Sequence, residues 1–184
     1  LNNKEYNLKE LLTKLITAPE NANEFDIFMT YELESISKFD PNIGTLKPEE
    51  VDLYIDMDRK PHFSVFENAF KVEIREELKE YWSQFWCPSF TVVNEKAITK
   101  HHDDKNIFVN LLKSPDYLDE MIEDIEMYTE EMNEMGVEGL FFPIAFKEDG
   151  WNILFNNKDG KVYIQEHDPI ECSKIADSIK DFYS

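Results

Sequence analysis

Apolar positions along this chain change their period several times, and each period predicts an element. Leu8, Leu11, Leu12, Leu15 and Ile16 recur at helical spacing ahead of Pro19, which predicts an amphipathic helix stopping near Thr17. From Glu20 to Lys60 no period is sustained, and Pro41, Gly44 and Pro48 punctuate a loop. Pro48-Glu49-Glu50 is the one pattern there that opens a short helix, with Pro at its first position and acids at the positive end of the dipole. Ser64 is a candidate cap for a turn carrying Val65, Phe66, Ala69 and Phe70. Ile74, Leu78, Tyr81, Trp82 and Phe85 then share one helical face, so two successive helices are predicted before Trp86-Cys87-Pro88.

Beyond this point strand signals take over. Phe90-Thr91-Val92-Val93 and Ile107 to Leu112 are apolar, β-branched runs separated by the polar His101-His102-Asp103-Asp104-Lys105, which suits two strands and a loop. Ser114-Pro115-Asp116 starts a long helix with Leu118, Met121, Ile122, Ile125, Tyr128 and Met132 inward and Gly136 at its end. Gly139 to Phe146, Trp151 to Phe155 and Val162 to Gln165 follow as three strands, joined at Glu148-Asp149-Gly150 and at the hairpin signal Asn157-Lys158-Asp159-Gly160. A closing amphipathic helix is predicted over Ile170 to Tyr183, with Ile175, Ile179 and Phe182 on one side. Strands in succession with helices before, between and after them predict an α+β fold, a mainly antiparallel sheet flanked by helices. The length of 184 residues suits one domain over 1–184, and no internal repeat or low-complexity linker divides it.

Charge narrows the range of partners. Nineteen basic against 39 acidic side chains give a formal −20. Direct binding of nucleic acid is excluded on this balance, because it depends on Lys and Arg neutralising phosphates. The long helix carries Asp116, Asp119, Glu120, Glu123, Asp124, Glu126, Glu130, Glu131 and Glu134 with no Lys or Arg between Pro115 and Gly136. Taken alone this is a solvated helix face; with the net charge it favours a surface kept acidic to attract a basic protein. The apolar run Leu140 to Phe146 is far shorter than the ~18–20 residues of a membrane-spanning helix. The first residues lack the basic and apolar regions of a secretion signal, so a cytoplasmic location is expected. Cys87 and Cys172 have no spaced Cys or His to complete a zinc set; buried free thiols suit them better than a single disulfide.

Catalytic patterns are weak. His101-His102-Asp103-Asp104 is the only cluster of metal-ligand types, and a solvated loop explains it better than a metal centre without a spaced further ligand. His62 and His167 stand apart from any activated nucleophile, no G-x-S-x-G elbow or phosphate-cradling Gly-rich loop occurs among 5 glycines, and close carboxylate pairs arise by chance in so acidic a chain. Asp56-Met57-Asp58 lacks the Gly and closing Glu of a calcium loop. No cofactor or metal is expected, and a metal-dependent enzyme using His101, His102 and Asp103 is the contrary reading. Trp82 fits a core helix face, whereas Trp86 and Trp151 sit at element ends, where an interface anchor is an open alternative.

The segment Gly139-Leu140-Phe141-Phe142-Pro143-Ile144-Ala145-Phe146, then Gly150-Trp151-Asn152-Ile153-Leu154-Phe155, then Asp159-Gly160-Lys161-Val162-Tyr163 to Asp168, resembles the SUKH superfamily (SMI1/KNR4-like immunity proteins). Ile175 to Tyr183 looks like that group's terminal helix, and Phe63 to Phe85 is similar to its Syd branch. The resemblance covers roughly Phe63 to Ser184 and implies a non-enzymatic binding domain. Its members include immunity proteins that neutralise toxins of neighbouring bacteria, while Syd is associated with the SecY translocation channel. The expected function is therefore a cytoplasmic immunity-type protein that occludes a toxin domain, with SecY as the alternative partner. Because loops and strand ends of one sheet should lie near one another, the expected partner-binding residues are Asp103, Asp104, Glu148, Asp149, Trp151, Glu166 and Asp168.

Overall fold

The computed structural model describes residues 63–83, 90–100, 106–109, 118–147, 150–167 and 170–184, and before them Glu10 alone, which is helical. Apart from Glu10, the helix expected near residues 8–17 lies outside the described residues, as does the Pro48 segment.

Helix α1 (Ser64–Phe70) begins with Phe63 at its N-cap and no side-chain cap, so Ser64 is the first helical residue and not the cap. It stops at Lys71, which takes a left-handed conformation at φ 56°. Ile74 lies in the link to α2 (Glu76–Ser83), not on the helix, yet it is buried with Leu78, Tyr81 and Trp82. Acids Glu76 and Glu77 occupy the first turn of α2, where the helix dipole favours them.

Six strands run antiparallel in chain order: β1 (Phe90–Val93), β2 (Asn106–Val109), β3 (Phe141–Phe146), β4 (Asn152–Asn156), β5 (Val162–His167) and β6 (Ile170–Ala176). A 3₁₀ turn, Glu95–Ala97, follows β1 and is capped by Asn94, whose side chain accepts from Lys96 N. Helix α3 (Leu118–Glu134) enters the sheet through a glycine stop. Gly136 has φ 85°, its N–H bonds Asn133 O at 3.0 Å, and Val137 N–H reaches back to Met132 O at 3.0 Å. That pairing satisfies carbonyls the helix end leaves open and brings Val137 onto Met132, both members of one apolar cluster. The β4–β5 turn also behaves as its sequence predicts: Gly160 sits at φ 79° and its N–H bonds Asn156 O at 2.8 Å. Arg75 clamps this turn from outside, donating from Nε to Asn157 O at 2.8 Å and from Nη2 to Lys158 O at 2.9 Å.

The C-terminal segment departs from expectation. Residues predicted as one helix from Ile170 to Tyr183 form strand β6 and then a short helix α4 (Ile179–Tyr183). Pairing decides the outcome: His167 faces Ile170, Gln165 faces Cys172 and Tyr163 faces Lys174, so the segment folds directly back along β5. The backbone bonds and cross-strand contacts of a ladder outweigh a weak helical period. Ser178 then starts α4 by accepting from Asp181 N at 2.8 Å, while Asp181 Oδ2 accepts from Asp177 N at 3.0 Å. Ser178 is thus a true N-cap, while the Asp181 carboxylate reaches one residue past it, to Asp177, and so departs from the standard capping box.

Alternation along the strands divides the core into two faces. Phe142, Ile153, Phe155, Val162 and Ile164 pack with Phe66, Trp82, Tyr81, Ile179, Phe182 and Tyr183, all at most 5% exposed. Rings of Phe66, Phe70 and Trp82 meet Phe142 edge-on at centroid distances of 6.3, 6.3 and 5.6 Å. Tyr81 and Tyr183 stack at 5.8 Å; the Tyr81 hydroxyl donates to Ile144 O at 2.7 Å and so accepts from Tyr183 at 2.9 Å. Burial drives the Tyr81 phenol well above its ordinary range, so both hydroxyls stay protonated donors. The opposite face is smaller: Phe141, Leu154 and Met132 at the centre, with Tyr128, Val137, Tyr163 and Cys172 around them. These two faces and six strands make the molecule an α+β fold on an antiparallel sheet.

Candidate functional site

Helix α3 crosses this second face but covers only part of it. Its stripe Asp124, Met127, Tyr128 and Glu131 follows i, i+3, i+4, i+7 spacing, so all four project from one side of the helix. Across from them lie Pro143, Ala145 and Phe146 of β3, Asn152 of β4, His167 of β5, and Gly150 between β3 and β4. Together these walls enclose an open groove of about 460 Å³. The bulge between Pro143 and Ala145 shifts the β3–β4 register and sets Phe146 opposite Asn152 at the groove's strand wall.

A chain of polar groups runs along the floor. Gln165 Nε2 donates to Glu131 Oε2, and Asn152 Nδ2 donates to Gln165 Oε1 at 3.2 Å. The same Asn152 nitrogen lies 3.2 Å from His167 Nε2, which therefore accepts, leaving the imidazole proton on Nδ1. The Glu131 carboxylate thus fixes the orientation of two amides, because it can only accept. Gln165 and Asn152 are 1% and 8% exposed, so this chain replaces water contacts that burial removes. Among the described residues, none donates a hydrogen bond to Asn152 Oδ1, to the Asp124 carboxylate or to the second oxygen of Glu131, and no Lys or Arg lines the groove.

The electrostatics agree with an uncompensated negative site. Burial, then the charge of Glu123, raises the Asp124 carboxyl above its ordinary value. Burial, followed by Asp124 and Glu131, pushes the Tyr128 phenol up to about 12. Neighbouring exposed positions Glu123, Glu126, Glu130 and Glu134 extend the acidic face along α3, and Met127 is 44% exposed beside them. Such an arrangement can accept hydrogen bonds and attract cations. No nucleophile with a base oriented beside it occurs here, and no group of three or more His, Cys, Asp or Glu is placed to hold a metal among the described residues.

Of the expected partner-binding residues, only Trp151 and Glu166 are among the described ones. Asp103, Asp104, Glu148, Asp149 and Asp168 lie outside the described residues, as do His62, His101, His102, Trp86 and Cys87. Trp151 and Glu166 are both buried, at 3% and 2% exposed. Trp151 joins the larger apolar cluster with the Lys147 ammonium 5.0 Å from its ring centroid. Glu166 shares the inward side of β5 with Val162 and Ile164, and its Oε2 is buried without a hydrogen-bond partner. Cys172 is a free, half-buried thiol whose pKa burial raises. His167, read from sequence as an isolated histidine, is exposed at the groove's end. The residues that sequence reasoning missed are Asn152, Gln165, Tyr128 and Phe146. A signal existed for two of them: a polar Asn and Gln at inward positions of apolar strands demand partners.

Comparison with known families and with curated proteins finds no match to this chain. No helix among the described residues is long and apolar enough to cross a membrane.

Proposed function

We propose that this chain is a non-enzymatic, cytoplasmic binding protein of the immunity type, which captures a basic toxin domain on its acidic α3 side and blocks it by occlusion. One observation carries the reading: α3 presents Glu123, Asp124, Glu126, Glu130 and Glu134 to solvent, with no basic residue anywhere in the helix to neutralise them. Like charges this close destabilise an isolated helix, and a complementary partner would offset that cost. The net charge of −20 supports the same direction, since long-range attraction speeds encounter with a basic protein. The SUKH-like strand and turn motifs point to the same class of activity.

The test is co-expression with a toxin reading frame, should one lie next to its gene. Cells should survive when the toxin is expressed with this chain and die when Glu123, Glu126 and Glu130 are reversed to Lys. Survival unaffected by the reversal would contradict the acidic α3 side as the binding surface. Recovery of SecY in place of a toxin, lost under the same reversal, would keep the surface and change the partner.

A further inference from the structure

Within the acidic face, the groove beside α3 has a shape and donor–acceptor pattern of its own. It lies in the size range of pockets that admit a single side chain or small ligand, roughly 300–1,000 Å³. Its walls differ in kind. Met127, Tyr128, Pro143 and Phe146 supply apolar and aromatic surface along its length. Asp124 and Glu131, seven residues apart and so roughly 10 Å along the helix axis, supply carboxylates near the two ends of the α3 wall. Asn152 lines the same space, and its Oδ1 has no donor among the described residues. Of the free hydrogen-bonding positions, the oxygens of Asp124, Glu131 and Asn152 only accept, while the Tyr128 hydroxyl and His167 Nδ1 can donate.

A ligand that is a multiple donor, positively charged and mounted on an apolar stem matches the carboxylates, the Asn152 oxygen and the apolar walls. An ammonium ion satisfies the charge but offers a compact point of contact; a guanidinium offers five donors in a plane and stacks on aromatic faces. We infer that the groove between α3 and strands β3–β5 receives an arginine side chain of the basic partner, with the stem along Met127 and Phe146, the guanidinium held by Glu131 and Asn152, and the Asp124 carboxylate adding negative charge at the other end. The inference rests on the proposed function, which supplies the partner, but makes a narrower claim about where one residue of it goes. The raised Asp124 and Tyr128 groups agree, since each reports negative charge in a partly desolvated place with no cation near it.

The probe is acetyl-arginine-amide, titrated into the ¹⁵N-labelled full chain and followed by amide chemical shifts, with acetyl-citrulline-amide as the uncharged isostere. Saturable shifts confined to residues 124–131, 150–152 and 167 are expected for arginine, with citrulline at least about tenfold weaker. Asp124→Asn and Glu131→Gln should each weaken arginine about three- to tenfold; both are isosteric, and a carboxamide at 131 still accepts from Gln165. Equal shifts from arginine and citrulline, or arginine shifts spread over all acidic surfaces without saturation, would overturn the inference. If these variants leave arginine binding intact while Lys reversal of Glu123, Glu126 and Glu130 removes toxin protection, the groove assignment fails and the broader function stands. If the reversal also leaves protection intact, the function fails with it.

Discussion

The two faces of the sheet are built by different rules. On one, Trp82, Phe66, Phe142, Tyr81 and Phe182 are at most 1% exposed and fill the space between helices α1, α2, α4 and the strands. Its polar groups are few and mostly satisfied inward, as Tyr183 to Tyr81 to Ile144 O shows. On the other, α3 rests on a small cluster of Met132, Phe141 and Leu154 and leaves a groove whose floor is an amide chain ending at Glu131 and His167. The first arrangement maximises apolar burial, which stabilises at about 25 cal/mol per Å². The second gives up burial and tolerates adjacent like charges, neither of which helps folding. Under the proposed function that contrast separates a stabilising face from a recognition face, and it can be broken at several points.

The largest effect is expected in the aromatic face. Trp82→Ala or Phe142→Ala removes a ring that meets three or more others and should cost about 3–5 kcal/mol in urea unfolding. An effect below 1 kcal/mol would mean this face does not hold the fold. Next comes Gly139, where an added Cβ would collide with the Asn156 carboxamide. Asn156 is wholly buried and bonds Glu138 O at 3.1 Å and Lys158 N at 2.8 Å, so Gly139→Ala should cost about 1–3 kcal/mol by displacing it.

The pH dependence should be smaller and non-monotonic. Glu77 and Asp124 have raised pKa values, mainly from burial, so the fold binds their protons better than the unfolded chain does. Stability should therefore rise as pH falls from neutral towards their titration range. Asp181 is lowered first by the Asp177 N–H and also by Lys96, and Glu67 and Glu138 are lowered by hydrogen bonds from Lys79 and Lys158. Their contribution is present above the ordinary carboxylate range and is lost as pH falls through their folded values. The melting temperature should peak near about pH 5, and a monotonic decline from pH 8 downward would contradict the assignment. The smallest effect sharpens the comparison: Glu131→Gln should change stability by no more than about 0.5 kcal/mol, because its role lies in the groove.

Much of this fold was legible where local chemistry and long-range pairing agree. The Asn157-Lys158-Asp159-Gly160 turn, the Gly136 helix stop and the inward stripe Met121, Ile122, Ile125, Tyr128 and Met132 were all read from spacing. Ile170 to Ala176 was misread because its apolar residues also satisfy a helical period, and only the partner strand β5 decides between the two. The capping signal at Ser178 was present and marks where the helix truly begins. The groove was not legible, because it is assembled from α3, β3, β4 and β5 by tertiary packing. Glu166 and Trp151 looked like surface residues for their chemistry, whereas strand alternation places Glu166 inward beside Ile164.

The central claim is that the acidic α3 side serves recognition and not folding. Its most direct test is one triple variant, Glu123→Lys, Glu126→Lys and Glu130→Lys, measured both for unfolding free energy and for salt-dependent affinity to the toxin domain. Stability unchanged or increased, because like charges on the helix are relieved, together with affinity reduced at least about a hundredfold and a flattened salt dependence, is the predicted result. Affinity retained with stability lost would contradict it and make α3 a structural helix.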